Sequence, residues 1–112
     1  MRLTIIKADN AVGIDGKFLT VDCSALPAGF HALQWEGSES GLGGGGEIEW
    51  LGKPKPANTD ISDLGEYSTY VEAWRTEKAR IEAEIARLAA EAEAARLTAE
   101  TLAAPSPEGV LR

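Results

Sequence analysis

HALQWEGSESGLGGGGEIEW, residues 31–50, decides the fold. Two Trp-bearing segments flank a run of glycines. Leu33 and Trp35 fall on one side of an extended chain, and Gln34 and Glu36 on the other. Ile48 and Trp50 alternate in the same way against Glu47 and Glu49. Apolar residues at every second position with one wet face predict two antiparallel strands whose tryptophans share a core. Ser38 to Gly46 is then the hairpin loop, longer than most. A phosphate-binding loop would need fixed glycine spacing, a nearby Lys and a helix directly after it. Here a strand follows and no Lys stands close, so the glycines read as slack between strands.

Working backwards, "RLTIIKA" (residues 2–8) is short and β-rich, with Leu3 and Ile5 alternating with Thr4 and Ile6. Asp9 and Asn10 suit a turn. Val12 and Ile14, the Asp15-Gly16 dipeptide, and Phe18 to Val21 predict a hairpin with its tip at Asp15-Gly16. Pro27 and Gly29 mark a connection to the Trp-bearing pair. Working forwards, "GKPKPAN" (residues 52–58) spaces two prolines by one residue, which favours a stiff extended segment without sheet pairing. It reads as the boundary of the sheet domain, residues 1–58.

From about Asp60 the period changes. No proline occurs until Pro105, and Asp60 or Ser62 can cap a helix start. A helix is expected within residues 59–104, and about forty residues of it span roughly 60 Å at about 1.5 Å per residue, more than a small sheet domain is wide. Residues 105–112 read as a flexible tail. The fold class expected is therefore α+β: a small antiparallel sheet domain followed by one long C-terminal helix with coiled-coil heptads.

The heptads lie in two rows. Tyr67, Trp74, Ile81, Leu88, Ala95 and Leu102 form the d row, and Leu64, Val71, Lys78, Ile85, Ala92 and Ala99 the a row. Glu77/Arg80, Glu84/Arg87 and Glu93/Arg96 are spaced to support the helix from outside. The seam is rich in large residues early and in alanine late, and Lys78 interrupts it. In a parallel dimer Glu77 meets Glu82 of the other chain, which is unfavourable. A trimer, an antiparallel pair and a groove on another protein all remain open. The partner-contact residues expected are Tyr67, Tyr70, Trp74, Ile81, Ile85 and Leu88. For the three aromatics the competing role is a cover for one face of the sheet.

Charge and composition exclude other classes. The 112-residue chain carries a net charge of -7, with -2 before Thr59 and -5 from there on. Acidic surfaces repel phosphate backbones, so no nucleic-acid partner is expected. No long apolar run predicts a membrane segment, and the first residues are too short and polar for a signal peptide. The single cysteine, Cys23, cannot form an internal disulfide and has no basic neighbour to activate it. His31, the sole histidine, lacks the companions of a metal site. Asp60 with Asp63, and Glu82 with Glu84, read as solvated carboxylates. Without a nucleophile–base pair, metal cluster or cofactor loop, the chain reads as non-enzymatic, with no cofactor.

One resemblance adds to this. The order "ALQWEG" (32–37), "GEIEW" (46–50), a Lys-Pro loop (53–58) and "ISDLGEYSTYVEAWRTEK" (61–78) resembles small proteins of the tail and tail-fibre gene region of tailed bacteriophages. It covers roughly residues 1–80. The loop "SESGLGGGG" is longer than the family's, and the Ala/Glu-rich extension after Lys78 has no family support. The resemblance implies a virion or tail-fibre assembly protein, chaperone-like or structural, whose partner is a tail or tail-fibre protein. It also implies a place in the bacterial cytoplasm during assembly or in the virion tail. The alternative reading is an acidic inhibitor of a host protein, motivated by the net charge.

Overall fold

A computed structural model describes residues 1–103; the tail expected at residues 105–112 and the prolines expected to end the helix lie outside the described residues. Six strands form one antiparallel sheet: β1 (Arg2–Ile6), β2 (Ala11–Ile14), β3 (Lys17–Thr20), β4 (Phe30–Gly37), β5 (Gly44–Trp50) and β6 (Thr59–Ile61). One helix follows, α1 (Ser68–Ala103). The architecture is α+β, with a small antiparallel sheet followed by a long C-terminal helix. The chain divides into two compact units, Met1–Lys78 and Ala79–Arg112.

The spatial order is β3-β2-β1-β4-β5-β6. The first three strands run as a meander, and β4 returns to lie beside β1, a Greek-key step. The hairpin tip is the expected one. Asp15 and Gly16 both take positive φ, and the Asp15 carboxylate accepts the Arg2 backbone N–H at 2.8 Å. The returning connection is no idle loop, since Val21, Cys23 and Leu26 along it are buried.

Register explains the core. Val12 stands opposite Ile5, Ile5 opposite Leu33, and Leu33 opposite Ile48, so one belt of branched side chains crosses four strands. All four are essentially inaccessible to water. Each contributes roughly 1.5–3 kcal/mol by leaving water. The covering layer of that face comes from later in the chain. Leu64, Val71 and Trp74 are buried against the same cluster, and Tyr67, Tyr70 and Ala73 pack at its margin.

Two expectations are corrected here. First, the glycine run is not slack. Its last three members, Gly44 to Gly46, belong to β5. Trp35 stands directly opposite Gly46. A Cβ on Gly46 would fall 2.5 Å from the Gln34 carbonyl oxygen and 2.8 Å from Trp35 Cα. A Cβ on Gly37 would fall 2.4 Å from the Trp35 ring. The indole thus lies in a trough that only hydrogen atoms can line, and its Nε1–H donates to the Ser62 carbonyl at 3.1 Å. The true loop, residues 38–43, is tied down as well. Ser38 Oγ donates to the Leu42 carbonyl at 2.6 Å, Asp63 accepts the Gly43 N–H at 2.6 Å, and the Leu64 N–H donates to Gly41 at 3.0 Å.

Second, the sheet does not end at residue 58, nor does the helix begin near Asp60. "GKPKPAN" is a loop inside the sheet, because Thr59–Ile61 returns as β6 beside β5. The Trp50 indole N–H donates to Thr59 Oγ1 at 2.9 Å, and Asn58 donates to Glu47, pinning the returning segment. Gly65 then takes φ +55°, a left-handed turn that breaks any helix running through it. A 3₁₀ turn at Gly65–Tyr67 leads into α1 at Ser68, so neither Asp60 nor Ser62 is its cap.

Candidate partner-binding surface

The six residues proposed for partner contact separate into two groups. Trp74 is 8% exposed, and its indole N–H donates to the Lys17 carbonyl at 2.9 Å, on the first residue of edge strand β3. It belongs to the chain's own core and is not available to a partner, because a face of a six-stranded sheet must be covered by something. Tyr67 is half-buried, with its ring 6.0 Å from Phe30, which in turn meets Trp50 edge-on at 5.8 Å. Tyr67 and Tyr70 line a groove of about 300 Å³ with Leu26 and Pro27.

Ile81, Ile85 and Leu88 are different. They lie in the second unit, on the part of α1 beyond Lys78. Ile85 is 60% exposed and Leu88 52%, while Ile81 is half-buried. Ala92, Ala95 and Ala99 continue the two rows, all exposed. Leu102 at the end of the d row is exposed too. Leu97, also exposed, stands off both rows and was not singled out by periodicity, which has no place for it. Lys78, the interruption in the a row, holds its ammonium 5.8 Å from the Trp74 ring centre. That cation–π contact lies within the first unit, and the large apolar residues of the expected rows in the second unit begin at Ile81.

Ion pairs run along the same stretch of helix. Arg87 bridges Glu84 and Glu91, and Arg96 bridges Glu93 and Glu100, each along the helix axis. Exposed pairs of this kind add little each, but they favour helix in a stretch whose side chains are mostly exposed.

Most of the remaining candidates lie in the sheet unit, and Glu82 lies in the second. Cys23 is fully buried and its thiol donates to the Val21 carbonyl at 3.3 Å. Asp63 is engaged by the Gly43 N–H, and Glu82 is exposed on α1. His31 sits half-buried where the β4–β5 register shifts, and its Nδ1 has no partner among the described residues. Among the described residues, no three His, Cys, Asp or Glu side chains gather as a metal site requires, and no helix is long and apolar enough to cross a membrane.

Burial pushes the Cys23 thiol above its ordinary value of 9.0, with Asp22 adding to the rise. Burial likewise raises Tyr67 and Tyr70 above 10.0. The neutral forms are the ones the fold favours. The unfolded chain loses these protons first, so the stabilisation is complete below about pH 9 and declines as pH climbs through and beyond it. Urea midpoints should fall between pH 8 and pH 10.5, and Cys23→Ala should flatten the early part of that fall.

No family model, curated protein or solved structure matches this chain.

Proposed function

We propose that this chain is a non-enzymatic structural or assembly protein of a bacteriophage tail. In this reading its sheet unit docks on a tail or tail-fibre protein, and the heptad seam of its helix is covered by another polypeptide. The observation that carries the proposal is the row Ile81, Ile85, Leu88. These branched side chains follow coiled-coil spacing, and two of the three are more than half exposed. Such a row on a soluble helix favours a partner, because burying it removes apolar surface from water at about 25 cal/mol per Å². The phage assignment is supported by the motifs at 32–37, 46–50, 53–58 and 61–78. In this fold those segments make up the Trp35 trough, the Trp50–Thr59 tie and the helix start, which are the parts that define the sheet unit.

The test is the double variant Ile81→Asp plus Leu88→Asp. Charges buried in a seam are strongly disfavoured, so association through the helix should weaken roughly a hundredfold while the sheet stays folded. The readout is sedimentation of the pure protein, together with capture of purified tail and tail-fibre proteins. A double variant that sediments and captures like the parent would overturn the seam.

A further inference from the structure

We infer that the occupant of the seam is a second copy of this chain, lying antiparallel, with Ile81, Ile85 and Leu88 of each copy set against Ala99, Ala95 and Ala92 of the other. The inference deepens the reading that the seam is covered, and it rests on that reading. It comes from the lopsided distribution of volume along the helix. Between Ile81 and Ala99, the large side chains occupy the first half and the alanines the second. A parallel, in-register pair would stack Ile on Ile and Leu on Leu, and then place alanine on alanine three times. The two helices would be held apart at one end and left with gaps at the other. Reversing one helix puts one large and one small residue in each of these layers. The separation is then uniform, and large against small is how facing positions interdigitate.

Charge selects the same register. In antiparallel pairs, positions on each flank meet their own kind across the seam. With Ile81 opposite Ala99, one flank brings Glu82 against Arg96 of the second copy, twice by symmetry, and Ala89 against Ala89 at the two-fold axis. Glu82 and Arg96 are both exposed on α1. The other flank brings Glu84 to Thr98 and Glu91 to Glu91. That last contact is unfavourable, and Arg87, which bridges Glu84 and Glu91 on its own helix, offsets it. The parallel arrangement sets Glu77 against Glu82 and Glu91 against Arg96, so its repulsive and attractive pairs cancel and leave no net gain. Ala89 on the axis lets the two backbones approach closely, as a seam lined by alanine requires.

The decisive measurement is sedimentation equilibrium of full-length Glu82→Arg, Arg96→Glu and the double variant. Antiparallel pairing predicts that each single change weakens the dimer about tenfold, as two complementary contacts become two repulsive ones, and that the double change restores it. Glu82→Arg alone separates the geometries, because in a parallel pair it meets Glu77 and tightens the dimer. Spin labels on Ala90→Cys and Thr101→Cys give a second readout, with Cys23 too buried to compete. In this register the Ala90 sites lie level with each other along the axis. The Thr101 sites lie roughly 33 Å apart along it, from 22 residues of rise. A parent chain that stays monomeric, a dimer tightened by Glu82→Arg, or equal label distances at the two sites overturns the inference. None of these results touches the broader proposal if Ile81→Asp plus Leu88→Asp still abolishes capture of a tail protein.

Discussion

Gly46→Val is expected to unfold the sheet unit, and Gly45→Val, one residue earlier in β5, is expected to leave it intact. Strand propensity predicts the reverse for Gly46, since replacing glycine with a β-branched residue should favour an extended chain. Space decides otherwise. At Gly46 even a Cβ would fall 2.5 Å from the Gln34 oxygen and 2.8 Å from both Cα and Cβ of Trp35. The first of these is backbone of the paired strand, so no rotamer change relieves it. Either β4 and β5 separate, breaking the Leu33–Ile48 contact beside them, or Trp35 leaves its trough and loses its bond to Ser62. Both outcomes involve the core, and the expected loss is about 4 kcal/mol or more. A Cβ on Gly45 meets nothing within 4 Å, and its φ is not in the left-handed region. There valine should be neutral or stabilise by about 0.5 kcal/mol, through a less flexible unfolded chain. Urea unfolding followed by tryptophan fluorescence reads both. Equal midpoints for the two variants would show that the trough does not need its glycines.

That contrast marks where the sequence stops being legible. Alternation of apolar and polar residues was enough to place Leu33 and Trp35 on one face with Ile48, and the Asp15-Gly16 dipeptide was enough to place a hairpin tip. Both are local rules, and the antiparallel sheet follows from them. The glycine run looked the same whether it was slack or a bed for an indole, because the difference lies in what Trp35 does across the strand. Likewise β6 is three residues long, behind two prolines, with no alternation to betray it. It exists because Trp50 and Glu47 hold Thr59 and Asn58 from the neighbouring strand. The helix period was plain, but not which part of it the sheet would use. Trp74 and Ile81 stand seven residues apart, yet Trp74 is buried in the sheet unit's core and Ile81 lies half-buried in the second unit. Only the cover that the sheet face requires separates them.

Trp74→Ala is accordingly expected to destabilise the sheet unit by about 3–5 kcal/mol, the range for truncating a large buried aromatic. A unit of 78 residues has a total stability of roughly 4–12 kcal/mol at typical values per residue, so the change removes a large share of it. Two contacts go together. The ring fills the covering layer beside Leu64 and Val71, and its N–H satisfies the Lys17 carbonyl at the sheet edge. Trp74→Phe separates them by keeping most of the volume and losing the hydrogen bond, and should cost about 1–2 kcal/mol. The helix beyond Lys78 responds differently. It is rich in alanine and carries its own Arg87 and Arg96 bridges, and its described part is longer than the 12–15 residues below which isolated helices are marginal. Far-ultraviolet helical signal should therefore outlast the loss of tryptophan fluorescence in Trp74→Ala, so that the two probes no longer coincide. A parent-like midpoint with coincident probes would mean that Trp74 does not hold the covering layer in place.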